Sequence, residues 1–274
     1  MSASSGPSLA TRSKYAPMAM TRKISSAMSR CELTHLLRTP INIPLAREQH
    51  HAYEQALRAL GGRVESLAEQ PELADSVFVE DTAIILDEVA VITRPGAESR
   101  RAEAASVAAA LAKYRNLVRI ESPGTLDGGD VLRVELSLYA GVSSRSNASG
   151  IEQLSALLLP FGYRVRPVAV RGCLHLKSAV TQVAADLLLI NSRYVDRQQF
   201  PGMRFIEVDE SEPLGANALM LGGDVIYPRS HPRTAEALRR HGIRVHTVDM
   251  SETEKAEGGV TCCSLLIEPP GAGR

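Results

Sequence analysis

Residues 131–168, VLRVELSLYAGVSSRSNASGIEQLSALLLPFGYRVRPV, decide the fold. Two short apolar runs, Val131–Val134 and Ser137–Val142, have the length and β-branched content of paired strands. The stretch Ala148–Leu159 then takes up helical periodicity. Gly162 ends it, and Tyr163-Arg164-Val165 opens a third strand. A glycine just past a helix is the usual stop, because only glycine enters the left-handed region without steric cost.

The same unit recurs on both sides. Helix ends read Gly61-Gly62-Arg63-Val64 and Gly242-Ile243-Arg244-Val245, after helices expected at Leu45–Leu60 and Pro232–His241. A fourth helix is expected at Arg100–Lys113, leading into a strand at Leu117–Ile120. Strand pairs are expected at Ser76–Leu86 with Val89–Thr93, Ala179–Val183 with Leu187–Ile190, and Ala218–Leu221 with Asp224–Tyr227. A lone strand pattern at Gly259–Ile267 would complete a unit begun near Thr21–Ser25. Strand, strand, helix, strand at this spacing predicts an α/β ring of about five units around an axis. The alternative is one irregular α/β domain whose Gly-Arg-Val echoes are coincidental. The Ser- and Ala-rich residues 1–19 read as a disordered tail, and 20–274 as a single catalytic domain.

Composition excludes several functions. With 31 Lys+Arg against 31 Asp+Glu, the 274-residue chain has no net charge. Nucleic-acid and membrane-surface binding both need an electrostatic footprint, so neither partner is expected. Four cysteines without CxxC spacing make no disulfide framework and point to a reduced compartment, the cytoplasm. No apolar run is long enough to span a bilayer.

Each unit carries a polar cluster where its first strand should begin: Asp75–Asp81, Leu126–Asp130, Leu174–Ser178, Val260–Ser264 and, more weakly, Gly215–Asn217. In a ring these starts converge on one mouth. Glu80 and Asp81 interrupt an apolar run, where a carboxylate is costly unless a cation pairs with it. Strand alternation puts Cys263 with Leu265 and Ile267 on a core face, and Cys262 on the opposite one. His175 falls on the polar face of its expected strand, with Lys177. Adjacent cysteines lack zinc-ligand spacing, so no metal is expected. A thiol with an imidazole suits nucleophilic catalysis, and the carboxylates suit a planar cationic substrate such as a guanidinium.

The segments DSVFVED (75–81), ITRPGAESRR (92–101), LDGGDVL (126–132), GVSSRSN (141–147), LHLKS (174–178), MSETEK (250–255) and TCCS (261–264) together resemble the dimethylarginine dimethylaminohydrolases, relatives of arginine deiminases and amidinotransferases. The resemblance implies a five-unit α/β propeller, the pentein fold, with an axial active site. It implies Cys262 as nucleophile, His175 as general acid and base, and Asp127 as the group orienting His175. Glu80 and Asp81 would hold the guanidinium, Asp75 the α-amino group, and Arg100 and Arg145 the α-carboxylate. Backbone near Ile24 and Ala256 would touch the amino-acid end, with Ile24 in a lid. The implied reaction converts methylated arginine to citrulline through a cysteine-linked thiouronium, with no cofactor, in a monomer or homodimer. An arginine deiminase-like hydrolase, an amidinotransferase and a non-catalytic binder of cationic amino acids are the competing readings.

Overall fold

The computed structural model describes residues 17–268; the expected tail therefore falls largely outside the described residues. Among the described residues, fifteen strands form five three-stranded sheets. In chain order they are β1 (Met18–Arg22), β2 (Arg63–Leu67), β3 (Ala83–Ile85), β4 (Val89–Ile92), β5 (Asn116–Arg119), β6 (Val131–Val134), β7 (Ser137–Val142) and β8 (Arg164–Ala169). They continue with β9 (Val180–Ala184), β10 (Leu187–Ile190), β11 (Arg204–Glu207), β12 (Leu219–Leu221), β13 (Asp224–Pro228), β14 (Val245–Val248) and β15 (Leu265–Ile267). Every sheet repeats one pattern: a middle strand antiparallel to an inner strand and parallel to an outer one. The orders are β15-β1-β2, β3-β4-β5, β6-β7-β8, β9-β10-β11 and β12-β13-β14.

A parallel pair needs a crossover, and helices supply it in four units. These are α1 (Ile43–Ala59), α2 (Glu103–Leu111), α3 (Ala148–Leu158) and, after the short α4 (Leu176–Ala179), α5 (Pro232–Arg240). A last turn, α6, spans Ser251–Glu254. Asn42 and Asn147 cap α1 and α3 by accepting the N–H of Leu45 and Gly150. Gly61, Gly162 and Gly242, read as helix ends, all have positive φ (89°, 82° and 81°). The fourth unit crosses over without an α-helix, through the 3-10 turn Arg197–Gln199.

Five apolar layers lie between successive sheets. Ile84, Val89 and Val91 meet Leu138, Ala140 and Leu154 between the second and third units. Ala19, Tyr53 and Leu57 of the first unit share a layer with Leu219, Leu221 and Ile226 of the fifth. None of the described helices is long and apolar enough to cross a membrane.

Several boundaries differ from expectation. β1 begins at Met18, so Met18 and Ala19 belong to the sheet and not to the tail. Ser76–Thr82 is not strand: Val79–Thr82 forms a 3-10 turn closed by the Thr82 hydroxyl on the Val79 carbonyl. Likewise Gly259–Ser264 makes turns, and only Leu265–Ile267 is strand. α2 starts after Arg100, because Glu98–Arg100 is a separate 3-10 turn whose arginine side chain is drawn into the interior.

Tyr53 on α1 ties this frame to the site. Its buried hydroxyl donates to the Val260 carbonyl at 2.8 Å and lies 2.7 Å from Ser264 Oγ, on either side of the two cysteines. Tyr53→Phe should lower unfolding free energy by about 1–3 kcal/mol, measured by urea denaturation, since it strands buried polar groups.

Candidate active site

All five polar clusters sit in the turns immediately before the inner strands: Val79–Thr82 before β3, Asp127–Asp130 before β6, His175–Ala179 before β9, Gly215–Ala218 before β12 and Thr261–Ser264 before β15. A turn exposes main-chain donors that a strand would commit to its ladder. The buried carboxylates take up those donors.

Cys262, His175, Asp81, Asp75, Arg100, Arg145 and Ala256 line one small cavity of about 20 Å³, with Glu32, Phe78, Leu174, Glu257 and Gly258. Cys262 Sγ accepts the Gly259 N–H at 3.3 Å. Burial, reinforced by the charges of Glu80 and Asp81, pushes its thiol up to about 12. Cys263 is fully buried in the apolar layer with Tyr53. The two cysteines thus face apart as expected, although a turn and not strand alternation separates them.

His175 departs from expectation in its backbone. It precedes the helical turn Leu176–Ala179, not a strand, because buried Asp130 Oδ1 accepts the Leu176 N–H at 2.9 Å. Asp130 Oδ2 accepts the hydroxyls of Ser143 and Ser146, both at 2.6 Å. His175 Nε2 lies 2.9 Å from Asp127 Oδ2, and Asp127 Oδ1 accepts the Gly96 N–H at 2.8 Å. His175 Nδ1 is 3.9 Å from Asp81 Oδ1. Burial alone would lower the imidazole, but Asp81, Asp127 and Asp130 together raise it to about 9.

Asp81 is shared among several groups. Its Oδ2 meets Arg100 Nη1 at 2.5 Å and its Oδ1 accepts the Gly129 N–H at 3.0 Å. Burial would raise this carboxyl, yet the charges of His175 and Arg100 hold it at about 2. Gly129 has no room for a side chain: a Cβ there would lie 2.6 Å from Asp81 Oδ1 and 2.8 Å from His175 Nδ1.

Glu80 does not face this cavity. It lies beneath it, tied to Lys177 Nζ at 2.5 Å and the Thr261 hydroxyl at 2.7 Å, and borders a separate cavity of about 510 Å³. Burial raises its carboxyl, against the pull of Lys177. Asn217, from the weakest cluster, braces the same floor through Thr261 and the Lys177 carbonyl.

The amino-acid end is less uniform. Arg100 reaches the cavity, but its Nε, Nη1 and Nη2 all bond to protein acceptors, chiefly Glu103 and Asp81. Burial raises Glu103 to about 7, with Arg100 opposing. Arg145 Nη2 donates to Thr34 Oγ1 at 3.2 Å, while its Nη1 is buried without a partner. Asp75 Oδ2 accepts the Glu32 N–H at 3.1 Å. The Ile24 side chain does not line this cavity: it packs 1% exposed among Met28, Cys31 and Ala46. The segment near the mouth is Glu32–Leu36 instead. Sequence reasoning passed over Glu32, Thr34, Glu103 and Glu257, which lie on polar, irregular or helical stretches without a motif.

Among the described residues, Asp81, Asp127 and His175 bring donor atoms within 4.8 Å of one another, close enough for a cation. They are already paired among themselves and with Arg100.

Five strand–strand–crossover units carrying a thiol, an imidazole and buried carboxylates on one cavity define the class of enzymes that modify guanidino groups. The chain belongs to the dimethylarginine dimethylaminohydrolase family. The family model described as N,N dimethylarginine dimethylhydrolase, eukaryotic, matches residues 26–200. An N(G),N(G)-dimethylarginine dimethylaminohydrolase of Streptomyces coelicolor is 42% identical over 252 residues, 91% of this chain and 96% of that one. Its counterpart from Pseudomonas aeruginosa is 38% identical over 222 residues, 80% and 87% of the two chains. A solved structure of the P. aeruginosa protein, a cysteine-to-serine mutant complexed with citrulline, superimposes with a TM-score of 0.88 at 34% identity, covering 91% of this chain and 98% of that one.

The raised imidazole has a readable consequence. The folded value lies above the ordinary 6.5, so its contribution to stability is complete below about pH 6.5 and is lost as pH rises through 9. NMR titration of His175 should show the imidazolium persisting to about pH 9, and Asp81→Asn or Asp127→Asn should each bring the midpoint down. An unshifted midpoint in both variants would contradict the assignment of cause.

Proposed function

We propose that the protein hydrolyses Nω-methylated L-arginine to L-citrulline, releasing dimethylamine or methylamine. The observation that carries this reading is the placement of Cys262 and His175 on the same cavity as Asp75 and the unpartnered Nη1 of Arg145. One end offers a nucleophile and a proton carrier. The other offers an acid and a base, the two charges an amino acid's amino and carboxylate groups require. The activity named for the S. coelicolor and P. aeruginosa relatives supports it.

We further propose that the five sheets close into a ring, with the site at its axis. The apolar layer shared by the fifth and first units supports closure.

In the proposed reaction Asp81 takes the substrate guanidinium, with Glu80 supplying negative charge from below. Cys262, neutral in the free enzyme, gives its proton to solvent once the cation stands beside it, because a nearby positive charge favours thiolate and His175 is already protonated. The thiolate attacks the guanidinium carbon. His175, held by Asp127, gives its proton to the departing amine, leaving a thiouronium on Cys262. Water then adds to that carbon as His175 takes its proton. Collapse breaks the carbon–sulfur bond, the hydroxyl proton passes to the departing Cys262 sulfur, and neutral citrulline and thiol are released. Asp75 receives the α-amino group. Arg145 Nη1 receives the α-carboxylate, with Arg100 adding charge from the wall while it keeps Asp81 in place. The Ala256 backbone borders the same end. No cofactor enters these steps. A small molecule is the proposed partner, without nucleic acid or membrane, for a monomer or homodimer in the cytoplasm.

Purified protein incubated with asymmetric dimethylarginine, monomethylarginine or arginine should release citrulline from the methylated forms. Cys262→Ser should abolish release and Cys263→Ser should retain it. Release from arginine alone would overturn the substrate reading. Iodoacetamide should label Cys262 in free enzyme only at strongly alkaline pH, and a bound cationic analogue should move that profile down.

Truncating Arg145 tests the amino-acid end. Arg145→Ala should raise KM for methylated arginine about 10- to 100-fold, the usual worth of a charged hydrogen bond, and leave methylguanidine turnover unchanged. Equal losses on both substrates would remove the assignment.

A further inference from the structure

The segment Glu32–Leu37 crosses the mouth of the site without regular structure, and its one apolar anchor is the partly buried Leu33. Leu37 at its crest is 90% exposed and Leu36 is 37% exposed. None of its main-chain N–H groups bonds to another main-chain group. Those of Thr34, His35 and Leu36 converge instead on the carboxylate of Glu257, at 3.2, 2.5 and 2.6 Å to Oε1. The N–H of Glu32 goes to Asp75.

Glu257 itself has φ +59°, a conformation that a residue with a β-carbon adopts only at a cost. Its neighbour Gly258 is pressed against Phe78, where a Cβ would come within 2.1 Å of the ring. The local backbone therefore fixes the direction in which the Glu257 side chain leaves the chain, and its carboxylate is placed by the three N–H groups it accepts. The strap it grips touches both groups that face the amino-acid end: Glu32 N–H on Asp75 and Thr34 Oγ1 on Arg145. The contact with Thr34 leaves Arg145 Nη1 buried and unpartnered.

We infer that Glu257 is a positioning residue for the amino-acid end of the substrate, acting through the strap Glu32–Leu37. The inference rests on the reaction proposed above. Glu257 touches no reacting atom. It keeps the strap ordered before substrate arrives, so that Asp75 and Arg145 are already oriented and binding carries no ordering cost. Without the grip, the strap must be ordered in each complex. Affinity for a free α-amino acid falls while the chemistry at Cys262 stays.

Two variants separate this role from general damage. Glu257→Gln keeps the shape and removes the charge. Glu257→Gly removes the side chain and suits the positive φ, so folding is spared. Both should raise KM for asymmetric dimethylarginine, by about tenfold for Gln and more for Gly, since bonds to a charged acceptor are the strong ones. kcat should stay within about threefold of wild type, or rise where product release is limiting. Amide hydrogen exchange at Thr34, His35 and Leu36 should lose protection in both variants. Unchanged exchange overturns the grip, whatever the activity. Lost protection with an unchanged KM overturns the positioning role, as does a kcat loss matching the KM effect. A wild type that releases no citrulline overturns the reaction, and the positioning role with it, while the exchange comparison still decides the grip.

Discussion

The carboxylate of Asp81 is the contact on which the remainder of the site depends. It is 2% exposed, and it holds Arg100 through one oxygen and the Gly129 N–H through the other. Its backbone carbonyl accepts the Thr93 hydroxyl at 2.6 Å, which fixes the turn against the end of β4. An isolated carboxylate at this depth would take up a proton. Arg100 and His175 prevent that, and Arg100 in turn is kept by Glu103 and by the carbonyls of Asp75 and Phe78. The charges are balanced as a network and not in separate pairs. The network therefore transmits position: moving Arg100 disturbs Asp81, and moving Asp81 disturbs the imidazole beside it.

Much of this was legible in residue types. The repeat of strand, strand, helix and strand was readable because three of its helices end at glycines that do take left-handed φ. The five polar clusters were readable because carboxylates and a histidine interrupt apolar runs. What escaped was of two kinds. Local conformation at the clusters was misread as strand, because alternation cannot register a carboxylate that captures main-chain donors, as Asp130 captures the Leu176 N–H. Contacts between distant polar residues also left no trace in sequence. Glu257 and Thr34 are 223 residues apart and meet only after folding. Ile24 fits the same explanation. Resemblance alone, with no matching motif over it, put its backbone near the amino-acid end, whereas its apolar side chain goes to the core.

Close approach sets the precision of the arrangement. A Cβ at Gly96 would meet the Arg145 carbonyl oxygen at 2.3 Å, and one at Gly128 would meet the Glu80 carbonyl oxygen at 2.0 Å. These glycines let the second and third units meet backbone to backbone at two places, the Gly96 loop on the Arg145 loop and the Gly128 turn on the Glu80 turn. The Gly96 N–H then reaches Asp127, linking the loop after β4 to the turn before β6. Units that bury little individually are joined by such contacts as well as by their apolar layers.

The outer strand of every sheet has one side without a ladder partner. Five such edges on one molecule are five templates for pairing with another chain. Their sequences resist it. β2, β8 and β11 begin with arginine and β5 ends with one, while β8 also carries Pro167, which has no N–H to offer. On β14 the edge presents His246, paired to Asp224, after Arg244. The periphery of the fold is thus charged against strand-to-strand aggregation, although the chain as a whole carries no net charge.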